Sequence, residues 1–364
     1  MSNNKSNNKG KDYITDSKLM VLYVLLKYSD ENHFLSKDEI LNKINSEYSY
    51  RGSITKSTLD RSLTAVKDFL EFHQDIFGEF KNGTDHNEER MVNLRIKHLF
   101  SNYEVRYLID MVSSCEYIEI KERQELISKL MSLSSKNLLS EYRSYLYKNH
   151  VKSKCMQTDF FSNLKAIHNA IAQNKQIRFY RVQRNKNGSL LYQQDKNEND
   201  MIYVVNPYRT VVVDGFYYLI CSRVPDDNTE PTRISNYRID RINEVEVIEN
   251  SSIFPETSIA GASKNVDTRN YITTHRMMWG GTPERIKFRC PEWAITEIVD
   301  YFGDAYKICS SENEADMIVE VECTLDNMLI WARRFFDFVE ILSPASLRQH
   351  LKDDIAKAYE KYSR

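Results

Sequence analysis

The sequence predicts a multidomain α+β chain, and three observations carry that expectation. Apolar side chains recur at helical spacing through the first 150 residues, and Met201–Glu249 alternates apolar and polar residues around an Asp214-Gly215 turn. Beyond residue 283, short alternating runs are interleaved with amphipathic segments. A length of 364 residues suits two or three domains. Hydrophobic residues at 41% and charged residues at 28% permit packed cores and exclude a disordered chain. The net charge of −2 excludes a protein coated in basic surface, so any nucleic-acid contact must use local patches.

Residues 1–14 are expected as a disordered tail, because Met1–Lys11 is rich in Asn, Ser and Lys and lacks the apolar core of a signal peptide. No run approaches the length of a membrane span, and the expected location is the cytoplasm, with no membrane partner. Leu19, Leu22, Tyr23 and Leu26 fall at i, i+3, i+4 and i+7, which predicts a first helix ending near Ser29-Asp30. Ser36 with Glu39 forms a capping-box pattern for a second helix carrying Ile40, Leu41 and Ile44. A third starts near Thr55, with Leu59, Leu63, Val66 and Leu70 on one face and Ser57, Arg61 and Thr64 on the other. Followed by Phe77–Gly83 and a β-like Arg90–Ile96, these helices make residues 15–98 a winged helix-turn-helix with its wing around Asn82-Gly83. Between Ser49 and Lys67 the basic residues Arg51, Lys56, Arg61 and Lys67 face one acid, Asp60. That is the electrostatic condition for phosphate contact, and the helix N-terminus adds its dipole; an ordinary solvated helix face gives the same pattern.

Residues 99–155 read as a helical connector, since Ser101–Tyr147 contains no Pro or Gly; its Tyr142, Tyr145 and Tyr147 are expected to pack. Phe160–Ala172 is a further helix. Asn174–Tyr192 then carries Lys175, Arg178, Arg181, Arg184 and Lys186 without an acid, around a strand at Ile177–Tyr180 and a turn at Lys186-Asn187-Gly188. Strand alternation puts Arg178 and Tyr180 on one face. The runs Tyr208–Val213 and Phe216–Cys221 flank Asp214-Gly215, whose residue types suit the φ > 0 positions of a type I′ hairpin turn. On the second strand Tyr217, Leu219, Cys221 and Arg223 share one face and Tyr218 and Ser222 the other, and one face must be core. Arg233–Val247 interleaves arginines with apolar residues before another β-rich run.

This segment resembles the WYL domain of bacterial transcription regulators. The resemblance lies in a Pro207-Tyr208 start, the Asp-Gly hairpin, the triplet Tyr217-Tyr218-Leu219, Arg223 closing that strand, and Arg238 to Ile242 as an Arg-x-x-Arg-Ile element. Tyr217 stands where the family name has Trp, which keeps the stacking face and loses the indole donor. The resemblance implies a small Sm-like or SH3-like β-barrel over residues 156–250, preceded by a winged helix-turn-helix. It likens Ser57–Arg61 to the start of a recognition helix, with Ser57 and Arg61 meeting bases or phosphates beside Lys56, Thr58 and Thr64; Arg51, Lys67 and Lys81 complete the expected DNA-binding set. It further implies that Arg223, Arg238 and Arg241 occupy the basic positions of a ligand pocket, with Tyr180, Tyr208 and Arg209 nearby. Arginine binds phosphate bidentately and Tyr offers a stacking platform, so the pattern suits a nucleotide or single strand. Anchoring of Arg238 or Arg241 by Asp240 or Glu244 is the competing reading.

Residues 251–282 change texture, being Ser/Thr/Asn-rich, and read as a linker. After them, Arg285–Cys290 and Met317–Cys323 alternate as strands, Glu292–Tyr301 and Asp326–Phe338 read as helices, and Val339–Pro344 and Ala345–Tyr362 close a compact α+β domain over 283–364. That domain resembles the C-terminal extension that follows many WYL domains, notably in Trp331–Phe338, Val339–Pro344 and Leu347-Arg348.

Catalytic constellations are not found. No nucleophile elbow, Walker loop, dinucleotide fingerprint or zinc-protease motif occurs, and the histidines read as surface or cap residues. The six cysteines show neither metal-ligand nor disulfide spacing and read as buried thiols, so no enzyme activity, metal or cofactor is expected. The expectation is a homodimeric transcription regulator that binds double-stranded operator DNA and whose central domain senses single-stranded nucleic acid or a nucleotide. The alternative is a protein-interaction or phage-defence accessory protein whose barrel binds a partner chain.

Overall fold

The computed structural model describes residues 9–48, 53–83, 91–137, 160–225, 229, 231, 233–259, 267–313 and 316–363. The chain divides into two units, residues 1–154 and 155–364. No described helix is long and apolar enough to cross a membrane.

In the first unit, helices α1 (Lys9–Tyr28), α2 (Lys37–Glu47) and α3 (Lys56–Phe72) are followed by one-turn α4 (Gln74–Phe77). Strands β1 (Glu79–Lys81) and β2 (Arg95–Lys97) then pair antiparallel, with Phe80 opposite Ile96. The capping box at Ser36 and Glu39 is formed, and Thr55 caps α3 through the Thr58 amide. Leu59, Leu63, Val66 and Leu70 are buried as expected and meet Ile40 and Ile44 in one core. On α1 the buried stripe is Met20, Val21, Val24 and Leu25, and Leu19 is 64% exposed. The expected stripe is therefore displaced around the helix. Ser17 explains the displacement: it is buried on the same face through a hydrogen bond to Ser62 on α3, so a polar residue extends the core-facing stripe.

Helices α5 (Asn102–Ser114) and α6 (Ile120–Met131) pack through Val105, Ile109 and Ile127. Past α6, Ser135 bonds to Asp30 and Asn137 to the Tyr28 carbonyl, which ties this segment to the end of α1. Arg51, residues 84–90 of the expected wing, and the connector tyrosines Tyr142, Tyr145 and Tyr147 lie outside the described residues.

The second unit begins with α7 (Phe160–Gln173) and an antiparallel sheet of β3 (Ile177–Arg184), β4 (Leu190–Tyr192), β5 (Ile202–Val213), β6 (Phe216–Arg223) and β7 (Ile234–Arg238). The sheet order is β4-β3-β5-β6-β7, and β8 (Ile242–Val247) also pairs with β3. Asp214 and Gly215 take φ of 48° and 79° between the paired Val213 and Phe216, as the hairpin turn requires. The expected closed barrel is not formed. Among the described residues β7 pairs only with β6, and β8 pairs with β3 after the 3-10 turn Ile239–Arg241, so one edge of β7 stays open.

Strand β6 is buried on both faces rather than one. Leu219 and Cys221 face one way, while Ile220 packs with Val211, Val213 and Met278 on the other. Met278 belongs to the stretch expected as a linker, which holds a 3-10 turn (Glu256–Ser258) and helix α8 (Thr268–Thr274). We call residues 267–283 the strap.

After the strap come β9 (Glu284–Pro291), α9 (Ile295–Phe302), β10 (Tyr306–Asn313), β11 (Asp316–Cys323), α10 (Leu325–Arg334), β12 (Glu340–Ser343) and α11 (Ala345–Tyr362). Their antiparallel sheet has the order β10-β11-β9-β12. Phe288, Val319 and Ile341 from the sheet meet Phe302, Trp331 and Leu347 from the helices. Strand β10 was not anticipated. It is an edge strand whose Ile308 is 52% exposed, so it lacks a strong apolar alternation.

Candidate functional site

The open edge of β7 is flanked by the strap, and the strap's shape follows from a few residues. His275 caps α8, stacks on the Tyr271 ring at 4.1 Å and 8°, and places Nε2 3.0 Å from the Gly281 carbonyl oxygen. Tyr271 in turn donates its hydroxyl to Asn236 Oδ1 on β7 at 3.0 Å. Met278 is buried at a φ of 54°, and a Cβ on Gly280 would lie 3.1 Å from the Ile234 carbonyl oxygen. The chain passes that close to β7 because glycine occupies position 280.

Two adjoining cavities result. The larger, about 540 Å³, is lined by Arg181, Arg233, Asn236, Tyr237, His275, Trp279, Gly280, Gly281 and Asp326 among others. The smaller, about 300 Å³, is lined by Arg181, Tyr218, Asn236, Tyr237, Arg238, Arg241 and Trp279 among others. Both volumes fall in the range of small-ligand sites. Arg181, Asn236, Tyr237, Met278 and Trp279 belong to both.

The groove is basic and aromatic. Arg181 lies over the rings of Tyr203 and Tyr237 at 5.6 and 5.5 Å, and Arg223 lies over Tyr203 at 5.3 Å. Arg238 holds Asp240 through two hydrogen bonds and stands 3.5 Å from the centre of the Phe216 ring. Arg181, Arg233 and Arg241 have no carboxylate partner among the described residues. Burial pushes the Tyr237 phenol up to about 12, so it is a neutral donor at physiological pH. Asn236 Nδ2 is buried without a hydrogen-bond partner, because its Oδ1 is already oriented toward Tyr271. Such a surface can accept anionic groups along its length and stack planar rings on Trp279, which is 54% exposed.

Residues 162–247 match the family model of the WYL domain. That stretch is a WYL domain. The chain is also similar to proteasome accessory factor B/C (PafBC) of Arthrobacter aurescens, at 14% identity and a TM-score of 0.28, covering 100% of this chain and 52% of that one. It thus spans about half the length of that relative. A CRISPR Cas-related protein is similar at 14% identity and a TM-score of 0.37, with 100% and 88% covered. No curated protein matches the sequence.

Of the six residues expected at a ligand pocket of the WYL domain, Arg238 and Arg241 line a cavity. Tyr180 leans on the Tyr192 ring at 5.0 Å instead. The Tyr208 hydroxyl lies 2.6 Å from Ser222 Oγ and donates to the Phe254 carbonyl, and burial raises its pKa to about 12; it is part of the interior. Arg209 pairs with Glu256 at 2.6 Å and lies beside Tyr271, so it anchors the 3-10 turn before the strap. Arg223 rests on Tyr203 without lining either cavity. The name-giving triplet divides three ways: Tyr217 packs edge-on against Phe160 of α7, Tyr218 lines the smaller cavity, and Leu219 is fully buried.

The sequence left Arg181, Asn236, Tyr237 and Trp279 out of the site. Arg181 sits in the acid-free run and Tyr237 in the arginine-rich one, which were usable signals. Trp279 had none, because its loop carries no periodicity and owes its position to Gly280 and Met278.

In the first unit, Ser57, Arg61 and Thr64 are exposed on the face of α3 opposite its buried stripe. Thr58 is occupied at the cap, with its Oγ1 3.0 Å from that of Thr55. Lys56 pairs with Asp38, Lys67 with Glu71 and Lys81 with Glu79, which tempers the expected excess of positive charge. Arg61 has no carboxylate partner among the described residues.

Proposed function

We propose that the chain is a DNA-binding transcription regulator whose WYL domain binds a nucleic-acid-derived ligand, single-stranded DNA or a nucleotide, and thereby changes promoter binding. The groove along β7 carries this reading, because it gathers guanidinium groups lacking carboxylate partners around exposed and half-buried aromatic rings. That combination suits phosphate and base together better than a purely apolar ligand. The three helices, of which α2 and α3 are capped, and the β1–β2 pair support a winged helix-turn-helix, with Ser57, Arg61 and Thr64 facing the major groove. A cytoplasmic homodimer on a palindromic operator completes the reading. Tyr103, Tyr107 and Met111 are exposed at i, i+4 and i+8 on α5 and offer an apolar stripe for self-association.

The test is binding of the full chain to a labelled single-stranded 20-mer at several salt concentrations, beside Arg233→Ala and Arg241→Ala variants. Salt-sensitive binding that both variants weaken supports the reading; equal binding by all three chains overturns the site. The open edge of β7 also suits a partner chain, as in a protein-interaction or phage-defence accessory protein whose WYL domain binds one. Capture of a defined heterologous partner by a chain that fails to bind any duplex would favour that second reading.

A further inference from the structure

We infer that the groove is a two-nucleotide site, in which Trp279 separates two base positions and Arg181 receives the phosphodiester that joins them. This rests on the ligand reading above and deepens it. The observation is the division of the groove itself: cavities of about 540 and 300 Å³ lie side by side and share Arg181, Tyr237 and Trp279. Each is large enough for a planar ring and its sugar, and both belong to one continuous edge.

The charges are distributed to match. Arg181 belongs to both cavities, Arg233 lines only the larger, and Arg241 lines only the smaller. A ligand with one phosphate could satisfy one of these guanidiniums; a 5′-phosphorylated dinucleotide presents a bridging and a terminal phosphate. Strand β7 advances by about 13 Å from Ile234 to Arg238, a span with room for more than one nucleoside phosphate. Trp279 is exposed at the shared wall, where it can stack on a base from either side. Asn236 Nδ2, buried beside both cavities without an acceptor, is the group placed to read a base carbonyl or ring nitrogen. Trp279 lies in the strap, outside residues 162–247, so this chain adds its own wall to the WYL domain.

The experiment compares thymidine 5′-monophosphate, the 5′-phosphorylated thymidine dinucleotide and the corresponding trinucleotide by calorimetry on the full chain, with wild type, Trp279→Ala, Trp279→Phe and Arg241→Ala. The dinucleotide should bind at least about tenfold more tightly than the monophosphate, and the trinucleotide within about threefold of the dinucleotide. Trp279→Ala should weaken the dinucleotide about tenfold and the monophosphate less than about threefold, and Trp279→Phe should restore most of the loss. A monophosphate that binds as tightly as the dinucleotide, affinity that keeps climbing beyond two nucleotides, or a Trp279→Ala chain that binds like wild type overturns the inference. If no probe binds wild type this inference falls, and the single-stranded 20-mer decides separately whether the ligand reading falls with it. If the trinucleotide binds and Arg241→Ala weakens it while Trp279→Ala does not, the ligand reading stands and only the two-nucleotide site is lost.

Discussion

Arg238 and Asp240 are joined by two parallel hydrogen bonds, Nε to Oδ1 at 3.0 Å and Nη2 to Oδ2 at 2.8 Å, with the aspartate side chain only 3% exposed. The pair spans the junction between β7 and the 3-10 turn that leads to β8, so the arginine serves the fold as well as the groove. Asp240→Ala leaves a guanidinium without its counter-charge and should cost about 3 kcal/mol of stability by urea denaturation. Arg241→Ala, on an exposed side chain, should change stability by less than about 0.5 kcal/mol while weakening ligand binding. Similar stability losses in the two variants would contradict this division of labour.

Duplex binding should depend on Arg61 more than on its lysine neighbours. Lys56 and Lys67 must each leave a carboxylate to reach a phosphate, whereas among the described residues Arg61 has only the Ser57 carbonyl as an acceptor. Arg61→Ala should weaken binding to a selected operator by at least about tenfold, and loss of one phosphate contact lowers the slope against log salt by about one. Mobility shifts at several salt concentrations measure both quantities.

His275 predicts a pH dependence. Burial holds its imidazole below the ordinary 6.5, an effect that acceptance by the Gly281 and Tyr271 carbonyls only partly offsets. As pH falls below 6.5 the unfolded chain takes up this proton before the folded one does, and stability declines until the folded ring is also protonated. The contribution is therefore complete above pH 6.5 and lost on acidification. Thermal melts at pH 7.5 and pH 5.5 should show a larger drop for wild type than for His275→Gln.

Two glycines at positive φ should respond differently to alanine. Gly78, at φ 86°, would drive a Cβ into the Lys97 carbonyl, backbone that cannot swing away. Gly215, at φ 79°, has open space around it. Gly78→Ala should cost more than about 2 kcal/mol and Gly215→Ala about 1 kcal/mol, read from chemical denaturation.

What the sequence disclosed was whatever local spacing encodes. The Ser36 and Glu39 box, the stripe from Leu59 to Leu70 and the Asp214-Gly215 turn each depend on residues within a few positions of one another. The displaced stripe on α1 depended on Ser17 meeting Ser62, a contact across 45 residues that no periodicity reports. The groove followed the same division. Arg238 and Arg241 lie in a recognisable local motif, but Trp279 reaches β7 only because the strap folds back on the sheet. Tyr208 and Arg209, on the first strand of the hairpin that carries the resemblance, meet Ser222 and Glu256 instead.

The strap has a second attachment. Its Thr274 carbonyl accepts hydrogen bonds from the Thr324 amide at 3.1 Å and from Asn327 Nδ2 at 3.5 Å, both at the start of α10. The wall of the groove is therefore tied through Thr274 to the start of α10, whose Trp331 belongs to the C-terminal core. A ligand that tightened the wall would also brace the C-terminal core against unfolding, so saturation of the groove and melting of that core become readouts of a single equilibrium.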